Sequence, residues 1–105
     1  MVLGNTTIQT IVDKENFALP EWDKRGLFPS PATTILLMDK STKSFLNKLN
    51  AVDTKSKSKD DLYKEVLLQV DQLPWDLLDT EEKEFLADTI VPAIESLRLN
   101  AWSLM

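Results

Sequence analysis

Carboxylates are the chemistry this chain has to offer: its 105 residues hold 17 aspartates and glutamates and neither histidine nor cysteine. Without imidazole or thiol, the side chains behind most nucleophilic, proton-shuttling and transition-metal chemistry near neutral pH are missing. The acids crowd one stretch, Asp76, Asp79, Glu81, Glu82, Glu84 and Asp88. Magnesium or calcium would need such oxygens to converge in space. An EF-hand loop would place acids at alternate positions around a sharp glycine turn, and neither feature is present. On a helix, Glu81, Glu82 and Glu84 point in different directions, while Glu81 and Glu84 lie on neighbouring faces with Asp88 one turn on. Helix capping already accounts for Asp79 and the glutamates after it. A divalent-cation-dependent carboxylate enzyme resting on Asp76, Asp79 and Glu82 is therefore the alternative expectation, not the leading one. No cofactor motif is visible, and with two glycines in the chain no phosphate-cradling glycine loop can be built.

Charge is sorted along the chain within a net −5. Residues 40–59 hold Lys40, Lys43, Lys48, Lys55, Lys57 and Lys59 against Asp53, whereas residues 60–95 hold eleven acids against Lys64 and Lys83. Such sorting either orients the surface toward a partner or neutralises itself across a helix pair. The Lys55-x-Lys57-x-Lys59 series lacks interleaved arginine or aromatic residues and sits in an acidic domain, so nucleic acid is not an expected partner. Trp22, between Glu21 and Asp23, is the best interface anchor of the three tryptophans. Trp75, beside Pro74 at a helix end, reads as core, and Trp102 depends on whether the final residues dock.

Length and hydrophobic content, 43%, fit one domain spanning residues 1–105. Met1 to Thr10 has no basic region before an apolar stretch, so no secretory signal is expected, and Ile35-Leu36-Leu37-Met38 is far short of a membrane span. A cytoplasmic protein is the expectation, with the Asn5-Thr6-Thr7 sequon silent.

An all-α bundle of about four helices must position these groups. Asp79-Thr80-Glu81-Glu82 is a capping-box start for a helix whose stripe is Leu86, Ile90, Ala93, Ile94 and Leu97, with Pro92 inside it. Ser58 caps a helix with Leu62, Val66, Val70 and Leu73 on one face; Pro74 ends it, and residues 75–78 plug the bundle end. Ser30-Pro31 opens a third stripe, Ile35, Met38, Phe45 and Leu49, which the polar stretch Asp39 to Ser44 either crosses or splits in two. Ile8, Ile11 and Val12 mark a short first helix capped by Asn5 or Thr6. Residues 17–30, with two prolines and Gly26, read as a long irregular connection, and residues 53–59 as a polar Lys/Ser loop.

Leu46-Asn47-Lys48-Leu49, Leu78-Asp79-Thr80-Glu81-Glu82-Lys83-Glu84, and Ile94-Glu95-Ser96 followed by Leu99-Asn100-Ala101-Trp102 resemble the signatures of a family of small bacterial helical domains of unknown function. The likeness covers about the C-terminal half. The chain departs from the pattern at Pro92 and after Ser96, where the family has a longer glycine-containing turn. The resemblance implies a bacterial origin and a compact helical domain, and it transfers no functional residue.

These features lead to a non-enzymatic protein-binding module, in its sharpest form an immunity or inhibitor protein that captures a basic partner. Its contact face would be Asp76, Asp79, Glu81, Glu82, Glu84 and Asp88, with Trp22 or Trp75 as anchor. A mimic of nucleic-acid charge is a further alternative.

Overall fold

The computed structural model describes residues 6–52 and 57–104, and for Trp102 the backbone alone. The expected Asn5 cap, residues 53–56 of the polar loop and the Trp102 side chain lie outside the described residues. Among the described residues five α-helices are formed: α1 (Thr6–Asp13), α2 (Leu19–Lys24), α3 (Ala32–Asn50), α4 (Lys59–Asp71) and α5 (Thr80–Glu95). Short 3-10 turns occupy Trp75–Leu77 and Ala101–Ser103, and no strand occurs among the described residues. The all-helical class expected from the sequence is therefore observed, with one helix more than the pattern predicts. No helix among the described residues is long and apolar enough to cross a membrane.

The additional helix corrects the reading of residues 17–30 as irregular. Pro20 stands in the first turn of α2, where a missing N–H costs nothing, and Glu21 and Lys24 complement the dipole at its two ends. Gly26, at φ +72°, then terminates the helix. Its N–H donates to the Asp23 carbonyl at 2.9 Å and that of Leu27 to the Trp22 carbonyl at 3.0 Å, the paired bonds of a Schellman motif. The residues read as breakers are thus the start and stop signals of a six-residue helix.

Polar residues 39–44 do not divide α3. Asp39 and Lys43 pair at 3.4 Å, one turn apart, at the border of the face on which Met38, Thr42, Phe45, Leu46 and Leu49 are buried. Pro31 occupies the cap position rather than the first helical one, and Ser30 does not cap α3. In α4, the Ser58 hydroxyl accepts from the Asp61 N–H at 3.1 Å, and Leu62, Val66 and Val70 form the buried face. After Pro74, Trp75 is half-buried and Leu78 buried at the bundle end, but Leu77 faces outward. Helix α5 continues through Pro92; both Pro92 and Asp88, whose carbonyl loses its partner there, are exposed, so water can satisfy it.

Helix α5 carries the core. Leu86, Ile90, Ala93 and Ile94 are fully buried, and the helix packs against α1, α3 and the final turn, while α3 also packs against α1 and α4. Arg98, at φ +63°, reverses the chain after α5, and Leu99, Ala101 and Leu104 return to the core.

Among the described residues one buried side-chain polar atom, the Thr42 hydroxyl, has no hydrogen-bond partner. Thr42→Val removes it at nearly constant shape and should raise stability by up to about 1 kcal/mol. Ile90→Ala and Ile94→Ala should each cost roughly 2–5 kcal/mol through lost burial and the cavity left behind. Urea melts of the three variants check both signs.

Candidate functional site

The acidic segment is built by the start of α5. Asp79 Oδ1 accepts from the Glu82 N–H, and Glu82 Oε1 accepts from the Asp79 N–H, each at 2.8 Å. This reciprocal capping box satisfies two N–H groups that the helix itself cannot. The second Glu82 oxygen accepts a short hydrogen bond from the Ser30 hydroxyl, which ties the α5 start to the segment entering α3. Glu82 is buried as a result, so its place on a contact face is corrected: it is a structural carboxylate.

Its neighbours behave differently. Glu81, Glu84 and Asp88 are exposed and fall on one side of α5, and Glu95 continues the same line. From Glu81 to Glu95 the ridge runs about 21 Å along the helix axis. Asp88 accepts from Arg25 Nη2 at 2.9 Å, whereas Glu81, Glu84 and Glu95 make no ion pair among the described residues. Asp76 and Asp79 are exposed beyond the N-terminal end of the ridge. Asp76, Asp79 and Glu82 do not come together as a cation site, since two of them are spent on the cap. Among the described residues, no group of three or more acids is placed to hold a metal ion.

The two charge blocks do not neutralise each other across a helix pair. Lys57 to Glu65, at 2.6 Å, is the one ion pair linking them among the described residues. The acidic ridge and the lysines of α3 therefore face different surroundings.

Of the expected aromatic anchors, Trp22 is corrected: it is 1% exposed, its indole N–H donates to the Phe17 carbonyl at 3.0 Å, and it meets the Phe85 ring edge-on at 4.8 Å. Burial against Phe85 makes it part of the core. Trp75 is half-buried, its N–H donating to the Val70 carbonyl at 2.8 Å. It lines a cleft of about 400 Å³ together with Lys83 and Glu84, directly beside the ridge.

Arg25 is the participant that sequence reasoning missed. Its guanidinium lies 4.7 Å from the Phe85 centroid while it binds Asp88, on the wall of a cleft of about 490 Å³ between α1, α2 and α5. Glu21 on the same wall takes Lys24 at 2.9 Å and Lys14 at 3.6 Å. The Lys24 hydrogen bond, helped by the charge of both lysines, holds the Glu21 carboxyl below the usual carboxylate range. The charges of this cleft are thus paired internally. Only the irregular reading of residues 17–30 hid Arg25, because without α2 it had no defined direction.

No family model, curated protein or solved structure matches this chain.

The roles assigned to the carboxylates separate in stability measurements. Glu82→Ala should cost roughly 1–3 kcal/mol by stranding the Asp79 N–H and the Ser30 hydroxyl, and Asp79→Ala about 1 kcal/mol as a lost cap. Glu84→Ala should change stability by at most a few tenths, about 0.5 kcal/mol at the limit. Chemical denaturation of the three variants tests this order; equal costs for Glu84 and Glu82 would place Glu84 in a buried pair.

Proposed function

We propose that this protein is a non-enzymatic binding module that presents the α5 carboxylate ridge to a basic protein partner. The observation that carries the reading is the alignment of Glu81, Glu84, Asp88 and Glu95 on one exposed helix face, with three of the four carrying no ion pair among the described residues. Aligned charges of one sign steer a complementary surface into place and speed its capture. Apolar contact is available at the N-terminal end of the ridge, where Leu77 is 69% exposed and Trp75 lies half-buried beside Glu84. A hot spot of that kind supplies residence time, which charge alone does not. Immunity or inhibition of a basic toxin or enzyme in the cytoplasm is the role this chemistry suits.

The collinear spacing of the carboxylates favours a second reading of the same contact, in which the ridge imitates a nucleic-acid backbone and occupies the partner's polyanion site.

The contact is tested by affinity capture from the native host with the wild type and with the triple variant Glu81→Lys, Glu84→Lys, Glu95→Lys. A partner specific to the ridge should be held by the wild type at physiological salt and lost by the variant. Its association rate should fall at least about tenfold on charge reversal and fall further with added salt. Displacement of the partner by duplex DNA would select the second reading. Capture of the same partner by the reversed variant would move the interface away from α5.

A further inference from the structure

The lysine-rich block has its own geometry on the opposite charge. Helices α3 and α4 leave a cleft of about 300 Å³ between them, walled by Lys40, Ser41, Ser44 and Lys48 on α3, by Gln69 on α4 and by Gln72 at its C-cap. Phe45 and Leu73, both nearly fully buried, form its floor. None of the six wall side chains has a hydrogen-bond or ion-pair partner among the described residues. No carboxylate lines the cleft. Asp39, the adjacent acid on α3, is held by Lys43 at 3.4 Å on another side of the helix, and Glu65, one turn before Gln69 on α4, is held by Lys57 at 2.6 Å. Asp71, beside Gln72, makes no ion pair among the described residues but does not line the cleft, so in a chain of net charge −5 two ammonium groups and four neutral donors are left facing one space.

Spacing selects the ligand. Lys40 and Lys48 are separated by about 12 Å along the α3 axis, with Ser41 and Ser44 between them. A single compact anion fills one end of such a row. A dicarboxylate offers acceptor oxygens only at its ends and leaves the hydroxyls and amides unused. An oligophosphate carries charge and acceptor oxygens along its whole length, and flexible lysine stems reach it as point charges from both ends. We propose that the α3–α4 cleft binds an oligophosphate chain, with Lys40 and Lys48 at its two ends and Ser41, Ser44, Gln69 and Gln72 donating along it. The buried Phe45 ring offers no open face for stacking a base, so the phosphates alone are recognised.

Calorimetric titration of the full chain, without magnesium and at matched ionic strength, tests this with inorganic triphosphate, inorganic monophosphate and a nucleoside triphosphate. Triphosphate should bind at least about tenfold more tightly than monophosphate, and Lys40→Gln and Lys48→Gln should each weaken it about tenfold, the worth of one charge-assisted hydrogen bond. Lys59→Gln, on exposed α4 surface outside the cleft, should leave binding unchanged, and thermal melts of the three variants should match the wild type. Equal binding of the nucleoside triphosphate supports recognition of the phosphates alone, and markedly tighter binding of it would overturn that recognition. Triphosphate binding no tighter than monophosphate, or binding that survives loss of both lysines, would overturn the proposal.

Discussion

Three groups converge on the ring of Phe85. The ring of Phe17 meets it edge-on at 4.9 Å and that of Trp22 at 4.8 Å, while the Arg25 guanidinium stands 4.7 Å from its centroid. Edge-to-face contacts place the positive rim of one ring on the negative face of another, and a guanidinium uses the same quadrupole. All three groups come from residues 17–25 and all close on one turn of α5, where Arg25 also reaches Asp88. A six-residue helix has no stability of its own in water. Helix α2 exists because this ring holds it.

Much of the remaining architecture depends on that attachment. With α2 pinned, Gly26 turns the chain and Ser30 arrives beside Glu82. The Glu82 carboxylate then joins two structures at once, the cap of α5 and the approach to α3. Burial of a carboxylate is costly unless its oxygens are satisfied, and here a backbone N–H and a hydroxyl satisfy them. The same helix therefore holds two kinds of acid. Glu82 faces inward and specifies how segments meet, whereas Glu81, Glu84 and Glu95 face water and leave their charge available.

The electrostatic division of the molecule follows from helix phase. The ridge of α5 and the lysines of α3 belong to different surfaces, and the ion pairs that do form are mostly local: Glu21 with Lys24, Asp39 with Lys43, Lys57 with Glu65. Local pairing neutralises individual acids without merging the two fields.

Local signals carried the helices that begin with a side-chain cap. Ser58 and Asp79 each accept from an N–H three residues on, an interaction complete within one turn and therefore readable from four consecutive residues. The buried stripes of α4 and α5 were legible for the same reason, since a helical period needs no distant partner. The outward direction of Glu81, Glu84 and Asp88 followed from that period too. Residues 17–30 were different, because proline and glycine there are equally at home in a loop and at the ends of a helix. The choice fell to contacts 63 residues away in the chain, such as Arg25 with Asp88, which no local window contains. Burial of Trp22 and of Glu82 was decided in the same way, by Phe85 and by Ser30. The sequence by itself determined the helical class, the side-chain caps of α4 and α5 and the phase of their buried faces; tertiary packing alone decided which aromatic and which acid would be inside, because that depends on what arrives opposite them.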